Sequence, residues 1–376
     1  MSRTSTQTFT GAAHLRHRLV LSILSSHPLR LRSIRADDTT PGLSPAEVSF
    51  IRLLDKLTSG TVIEINETGT SLFYKPGILL GAHHLTHECH PSRPVSYYLY
   101  PLLMLAPFCK RPLTLTLRGP THAPSDYSAD TLAAVSVPLL RRLTLGASLE
   151  PRVDVRKRAV CSKGANGGGR GGVLTFSCGV LTAKLRPVDL LQPGYVKRIR
   201  GTAFANRTSP GLVARMVDTT RGAMNPLLPD VYVHTDVANG KDCGVGFALQ
   251  LVAETTEGCL LGADWTASSA GVTPEAVASD ACNMLLEEVA AAGCVDSGHA
   301  CLAALYCALA DSDVSRIRVG RLSEATVQFL RDLKRFFGVV FKVKVDGDAD
   351  GEGAAEGGIV LSCVGVGLSN VARQRF

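Results

Sequence analysis

The apolar positions of this chain repeat one helix-to-strand pattern three times. In each copy an amphipathic helix, with apolar side chains at three- and four-residue steps, ends near a glycine and is followed by a strand. The copies occupy 50–57, Gly60 and 62–65; 138–143, Gly146 and 153–155; and 329–337, Gly338 and 340–343. The distance along the chain from Gly146 to Gly338 exceeds that from Gly60 to Gly146 by the length of a small domain. We therefore predict three repeated βα units with an insertion in the third.

The helix of the first unit carries the clearest start signals. Ser44 is a favourable N-cap, Pro45 suits the first helical position, and Glu47 can reach back to complete a capping box. Apolar residues at three-residue steps then predict one buried stripe, formed by Val48, Ile51, Leu54 and Leu57.

The three units and the insertion together predict an α/β (α+β) protein. We assign residues 1–184 and 286–376 to a large domain of three repeated βα units, and residues 185–285 to a smaller inserted α/β domain. The elements predicted in and after the insertion are a helix at 213–224, strands at 230–235, 244–253 and 258–263, and a helix from Thr273-Pro274 to 293.

The composition fits a packed globular protein. Hydrophobic residues make up 45% of the 376 positions, which argues against wholesale disorder. No apolar run is long enough to span a bilayer and the first residues lack a secretory signal, so we expect an intracellular protein without a membrane partner. The eleven cysteines include no Cys-x-x-Cys pair and mostly lie in apolar runs, which predicts buried thiols in a reducing compartment.

Positive charge is concentrated in one part of the chain. The formal net charge is +7, yet residues 141–200 alone hold 13 Lys and Arg against three acidic residues. Such clustering favours a polyanionic partner, with nucleic acid first, although a solvated basic surface or an acidic protein partner fits the same charges. The predicted RNA- or partner-binding residues are Arg156, Lys157, Arg158, Lys163, Arg170, Lys197, Arg198 and Arg200.

Three other segments carry weaker signals. The glycine run 164–172 lacks the Gly-Lys-Ser/Thr ending of a P-loop and is typical of a flexible hairpin on a basic surface. The acidic segment 346–357 lacks the terminal glutamate and flanking helices of a calcium loop. We expect no bound metal, because no second ligand group accompanies the cluster of metal-capable side chains, which is His83, His84, His87, Cys89 and His90.

The helix of the third unit offers an alternative chemistry. Its predicted buried stripe is Val327, Leu330, Leu333 and Phe337. This stripe leaves Arg331, Asp332 and Lys334 largely towards solvent, where ion pairs are the common arrangement. An acid among cations is also suited to metal-free phosphodiester cleavage, with Asp332 as base and Arg331 or Lys334 stabilising charge. A phosphodiester-cleaving enzyme is therefore the alternative to a binding protein.

Many ordered segments of the chain resemble the RNA 3'-terminal phosphate cyclase family, in particular its eukaryotic ribosome-biogenesis branch. The matching segments are Ile34-Arg-Ala-Asp-Asp, Pro41-Gly-Leu, Ser49-Phe-Ile-Arg-Leu-Leu-Asp-Lys-Leu, Ile63-Glu-Ile-Asn-Glu-Thr-Gly-Thr, Lys197-Arg-Ile-Arg-Gly, Leu251-Val-Ala-Glu-Thr-Thr, Gly293-Cys-Val-Asp-Ser, Phe329-Leu-Arg-Asp-Leu-Lys and Cys363-Val-Gly-Val-Gly. The resemblance implies three βα units, each similar to the C-terminal domain of a translation initiation factor, with an inserted α/β domain.

The chain departs from the family at the positions that the family uses for nucleotide chemistry. The resemblance implies that true cyclases use ATP to adenylylate a histidine near the start of the third-unit helix. Here that neighbourhood, 320–326, reads Gly-Arg-Leu-Ser-Glu-Ala-Thr, and His299 is the last histidine in the chain. The family's N-terminal Glu-Gly-Gly-Gly-Gln corresponds to Thr10-Gly-Ala-Ala-His14, which lacks the glutamate and most of the glycines. We therefore expect a non-catalytic homologue without a cofactor.

The resemblance also implies a cellular role. We expect a nucleolar factor for processing of small-subunit (18S) pre-rRNA and 40S ribosome biogenesis, acting in the small-subunit processome. Its expected partners are pre-rRNA, a large ribosome-biogenesis GTPase and other processome proteins. The alternative is a pre-rRNA endonuclease that uses Arg331, Asp332 and Lys334. A residual cyclase that uses another nucleophile is a third option.

Overall fold

The computed structural model describes residues 5–145, 149–161, 171–267, 271–346 and 358–370. The first unit consists of β1 (Gln7–Thr10), α1 (Leu15–Ser25), β2 (Leu29–Arg32), α2 (Pro45–Leu57), β3 (Thr58–Ser59), β4 (Val62–Ile65), β5 (Leu72–Lys75) and β6 (Ile78–Leu79). Its main sheet has the order β1-β2-β5-β4, and β3 pairs with β6. The predicted capping box starts α2: the Glu47 carboxylate accepts from the Ser44 N–H at 2.7 Å, and the Ser44 hydroxyl accepts from the Glu47 N–H at 3.4 Å.

The second unit repeats this arrangement. Its elements are β7 (Leu85–Glu88), α3 (Val95–Leu105), β8 (Leu113–Arg118), α4 (Ala129–Thr131), α5 (Val137–Leu143), β9 (Arg152–Lys157) and β10 (Val173–Cys178). A π-helical stretch, Leu132–Ser136, lies between α4 and α5. The sheet order is β7-β8-β10-β9. Gly146, which marked this copy in the sequence, lies outside the described residues.

The third unit contains the insertion. The remaining elements are β11 (Asp189–Leu190), β12 (Val196–Asn206), α6 (Pro210–Met224), β13 (Val231–Ala238), β14 (Gly246–Thr255), β15 (Leu260–Ala267), α7 (Pro274–Ala290), α8 (Ala300–Leu309), β16 (Val314–Val319), α9 (Glu324–Phe337), β17 (Lys342–Asp346) and β18 (Gly358–Val364). The third-unit sheet has the order β11-β16-β18-β17, and the insertion sheet has the order β13-β12-β14-β15.

The strand orders confirm the three-fold repeat. In every unit the first two strands run parallel, and the last two strands pair antiparallel in reversed chain order. Each helix that joins the parallel strands serves as the crossover that such strands require. In the third unit this crossover has been expanded, because β12 to α7 lie between β11 and α8. The fold is therefore the predicted α/β (α+β) class of three repeated units with an insertion.

Buried apolar residues form two clusters. The larger one joins the helices and sheets of the three units, and the smaller one lies between the insertion sheet and helices α6 and α7. The division at 185–285 remains a prediction, but β11 pairs with β16 and so lies in the third-unit sheet, not in the insertion to which its residues had been assigned. Ten of the eleven cysteines are buried, as predicted. Among the described helices, none is long and apolar enough to cross a membrane.

Candidate functional site

Arg158, predicted as an RNA contact, is held in an ion-pair cluster. Its guanidinium donates to both Asp130 carboxylate oxygens at 2.8 Å and to Asp236 at 2.6 Å, and His122 lies 3.1 Å from Asp130. Burial raises the pKa of Asp130, but hydrogen bonds from His122 and Arg158 outweigh it and hold this pKa well below its usual range. Since Asp130 belongs to the second unit and Asp236 to β13 of the insertion, Arg158 connects the two.

The three cations at the start of β12 also have acidic partners. Lys197 lies 2.7 Å from one oxygen of Glu254, and Arg198 lies 2.5 Å from the other. Arg200 makes two hydrogen bonds to Asp230, at 2.7 and 2.8 Å. Neighbouring residues of a regular strand face opposite ways, but a register shift between Val196 and Arg198 lets both Lys197 and Arg198 reach Glu254. Two carboxylates therefore offset much of this charge.

The other members of the predicted patch do not complete a continuous basic surface. Arg156 and Lys157 are exposed on β9, and Arg156 lies 3.6 Å from Asp154 of its own strand. Lys163 and Arg170 lie outside the described residues, together with most of the glycine run and residues 347–357 of the acidic segment. Among the described residues, the patch is thus mainly a set of ion pairs around the insertion.

The prediction for α9 was wrong about Asp332. This side chain is fully buried, accepts a hydrogen bond from Arg18 Nε at 3.0 Å, and accepts a second from Gln328 at 2.9 Å. The buried face of α9 is formed by Thr326, Phe329, Asp332, Leu333 and Phe336, so the helix is rotated from the predicted stripe, whereas Arg331 and Lys334 are exposed as expected. A carboxylate without exposed surface is badly placed to take a proton from RNA.

A basic cleft of about 830 Å³ opens beside this buried pair. It lies between β1, α1 and α9, which join the first unit to the third. The described residues that line it include four cations and no acid; they are Thr8, Phe9, Thr10, Arg18, Gln328, Arg331, Lys334 and Arg335. This residue set provides positive charge and hydroxyl groups but no carboxylate to repel an anion.

Arg18 is the unusual residue of the cleft. It is 6% exposed, its Nε is used by Asp332, and its Nη1 has no hydrogen-bond partner among the described residues. The guanidinium lies 4.0 Å from the ring centre of Phe9, and Arg335 lies 4.9 Å from the same ring. An unsatisfied buried donor costs about 1–3 kcal/mol, so an anion that accepts from Nη1 would recover that cost.

The start of α9 borders a second cavity, of about 370 Å³. Ser323 caps the helix by accepting from the Thr326 N–H at 3.1 Å, and no histidine is present in α9. A histidine from α1 does reach this place: the His17 ring lies 5.0 Å from that of Phe329 and lines the cavity. Burial, together with the nearby Arg16 and His14, lowers the pKa of His17 to about 3, so its imidazole is neutral.

A serine, a histidine and an aspartate form a hydrogen-bonded chain like that of a hydrolytic enzyme. Ser136 Oγ lies 2.6 Å from His299 Nε2, and His299 Nδ1 lies 2.6 Å from Asp296. All three residues are at most 1% exposed, and the second Asp296 oxygen accepts from the Gly262 N–H of β15 at 3.0 Å. The group resembles a hydrolase triad, but its burial and its bond to β15 indicate that it holds the insertion against the repeats.

Comparison with known proteins agrees with this architecture. The family model described as RNA 3'-terminal phosphate cyclase matches residues 7–343. The chain belongs to the RNA 3'-terminal phosphate cyclase family. Among its relatives, the RNA 3'-terminal phosphate cyclase-like protein of Homo sapiens is 44% identical over 374 residues, with 97% of each chain covered. The protein of the same name from Bos taurus is 43% identical, with 99% of each chain covered.

A fungal relative carries a more specific name. The Schizosaccharomyces pombe protein called rRNA processing protein rcl1 is 39% identical over 379 residues, which cover 100% of this chain and 99% of that protein. The matched region of the family includes β1, α1 and α9, and therefore every residue that lines the basic cleft.

The sequence contained one signal for this cleft that charge counting missed. Arg18 lies on the same face of α1 as Leu15, and both are buried. A charged residue within a buried stripe needs a buried partner of opposite sign, and Asp332 occupies the matching place on α9. The sequence could therefore indicate that Arg18 is buried, but it could not show which acidic residue is its partner.

Proposed function

We propose that this protein is a non-catalytic member of the cyclase family that binds pre-rRNA and serves in nucleolar processing of the small-subunit (18S) transcript. The name of the S. pombe relative, rRNA processing protein rcl1, supports a role in rRNA processing. In this proposal the protein acts in the small-subunit processome during 40S biogenesis, together with a ribosome-biogenesis GTPase and other processome proteins.

One observation carries the RNA-binding part of the proposal: the buried Arg18, whose Nη1 has no hydrogen-bond partner among the described residues, lines a cleft that also contains Arg331, Lys334 and Arg335. Phosphate oxygens are the acceptors that such a group of cations recognises best. The cleft is 830 Å³ and open, which suits a stretch of RNA backbone crossing the surface. Contacts of this kind position RNA without reading its sequence.

Two features favour binding over catalysis. The start of α9 presents the capping Ser323 where the family resemblance implies an adenylylated histidine, and α9 contains no histidine. The carboxylate required by the endonuclease alternative, Asp332, is buried against Arg18. The neutral His17 is a candidate nucleophile near α9, and covalent labelling tests it directly.

The deciding experiment combines RNA binding with two activity assays. The purified protein should bind a labelled pre-rRNA fragment, leave it uncut, and retain no labelled AMP after incubation with radiolabelled ATP and denaturation. The Arg331→Ala/Lys334→Ala variant should bind this RNA more weakly. Site-specific cutting, or AMP that stays on the denatured protein and is lost in His17→Ala, would overturn the non-catalytic assignment.

A further inference from the structure

The insertion sheet has two different faces. On one face, Ile199, Leu249 and Leu251 pack into the smaller apolar core beneath α6 and α7. Because side chains alternate along a strand, the residues between them point the other way. Strand register places these residues in rows across β13, β12 and β14: His234, Thr202 and Gln250 in one row, and Tyr232, Arg200 and Val252 in the next.

Part of this second face is covered by the second unit. Phe204 stacks on His122 with ring centres 5.2 Å apart, and Asp264 accepts from the Ser128 N–H at 2.5 Å. Beside this contact the sheet and the π-helical stretch separate and leave a cavity of about 310 Å³. Its lining residues are Ala134, Arg200, Gly201, Thr202, Gln250, Val252, Glu254 and Leu260.

Gln250 is the residue that indicates a ligand. It is 4% exposed, it lines the cavity, and its Nε2 has no hydrogen-bond partner among the described residues. A buried amide N–H without an acceptor costs about 1–3 kcal/mol. The cavity has apolar walls from Val252, Leu260 and Ala134, and its volume lies at the small end of the range for ligand pockets, about 300–1,000 Å³. A flat heteroaromatic ring with an acceptor atom fits this combination.

We propose that this cavity binds one nucleobase of single-stranded RNA. The Gln250 amide donates to a base carbonyl oxygen or ring nitrogen, and the apolar walls contact the faces of the ring. Arg200 also lines the cavity, and its 41% exposed side chain can exchange its pair with Asp230 for an RNA phosphate. Tyr232, which is 55% exposed and beside Arg200 in register, provides a stacking surface for the adjacent base.

A paired base would not enter this site, because its edge is already used by its partner and its faces are stacked in the helix. The subsite therefore selects unpaired RNA and rests on the proposed RNA-binding function. It differs from the cleft at Arg18 in the part of RNA that it contacts. The cleft contacts phosphates, whereas the insertion cavity contacts a base.

The test uses fluorescent single-stranded oligoribonucleotides of uridine, adenosine or cytidine, with an RNA duplex for comparison. Tyr232→Ala should weaken single-strand binding about five- to a hundredfold, which is the range for loss of one base–aromatic stack. Tyr195→Ala is its matched control, since Tyr195 is an 86% exposed tyrosine of the same insertion and does not line the cavity. Its binding should be unchanged.

Gln250→Leu supplies a readout that separates binding from folding damage. Replacing an unsatisfied buried amide by an apolar group of similar shape should leave the melting temperature unchanged or higher. The same variant should bind single strands about five- to tenfold more weakly, with a smaller difference among the three homopolymers. Gln192→Leu, at an exposed position outside the cavity, should retain the affinity and base preference of the original protein.

The results separate the two proposals. If the unmodified protein binds no RNA, both are overturned. If it binds RNA and Arg331→Ala/Lys334→Ala weakens this binding, but Gln250→Leu and Tyr232→Ala do not, the cleft is supported and the base-binding cavity is rejected. Crosslinks from 4-thiouridine RNA to peptides of β12, β13 or β14 are expected if the cavity is correct.

Discussion

The cleft at Arg18 and the basic segment 141–200 show that positive charge along a sequence differs from available positive charge in space. The segment has the higher density of cations in the chain, yet Arg158, Lys197, Arg198 and Arg200 all contact carboxylates. The cleft draws its four cations from two helices of different units and includes no acid in its lining. Arg331, Lys334 and Arg335 have no acidic partner among the described residues, whereas Arg18 is paired with the buried Asp332. We therefore propose the cleft, and not the basic segment, as the main site for RNA phosphate.

The ion pairs of the two regions also differ in burial. The Arg18–Asp332 pair has side-chain exposures of 7% and 0%, whereas Arg198 is 43% exposed in its pair with Glu254. Burial makes loss of one partner costly, because the remaining charge has no water to solvate it. Exposed pairs exchange with solvent and contribute little to stability.

Asp332→Ala should have the largest effect on stability. Removing this carboxylate leaves the buried Arg18 without its acid, so we expect the free energy of unfolding to fall by about 3–5 kcal/mol. Urea denaturation followed by circular dichroism measures this change. Arg331→Ala, at the preceding residue on the exposed side of α9, is the control and should change stability little. Equal losses in the two variants would contradict the buried pair.

Arg158→Ala should follow, with a loss of about 1.5–3 kcal/mol, because a charge-assisted hydrogen-bond cluster between the second unit and β13 is broken. This loss should depend on pH. The folded-state pKa of Asp130 lies below its unfolded value, so its ionised form stabilises the fold above about pH 4, and this contribution disappears as pH falls through the folded pKa. Denaturation at several pH values should show the difference between original and variant shrinking below about pH 4.

Arg331→Ala/Lys334→Ala should weaken RNA binding about tenfold, equivalent to about 1.4 kcal/mol. Two lost phosphate contacts should also reduce the slope of log affinity against log salt by about 1.4, at about 0.7 for each contact with a single strand. Fluorescence anisotropy over a salt series measures both quantities. Arg156→Ala/Lys157→Ala removes two exposed cations from the basic segment and should have the smaller effect. A larger loss of RNA binding in Arg156→Ala/Lys157→Ala would instead assign the main RNA contact to the basic segment.

Lys197→Ala/Arg198→Ala should have the smallest effect on folding, about 0–1 kcal/mol, since both side chains are more than two-fifths exposed. Thermal unfolding of this variant, measured in parallel with Arg158→Ala, gives the two losses of stability. A loss as large as that of Arg158→Ala would show that these cations connect the insertion to the repeats in the same way.

Local signals in the sequence were sufficient to predict the repeated units. Ser44 and Glu47 lie three residues apart, so the capping box depended only on neighbouring residues and was confirmed. The strand order β1-β2-β5-β4 recurs in the other two units, although in the third unit the insertion lengthens the connection between the two parallel strands. The rotation of α9 was mispredicted because apolar spacing placed Leu330 in the buried stripe, which left Asp332 towards solvent, whereas the structure buries Phe329 and Asp332.

The sequence by itself therefore determined the number of units, the presence of an insertion in the third unit and the membership of a family, because these features depend on local periodicity and on residue order. Only the tertiary structure decided which charges are available. Arg18 and Asp332 are 314 positions apart, and Arg158 lies 78 positions from Asp236. Interactions over such separations depend on how units pack, and packing decides whether a cation is paired with an acid or available to RNA.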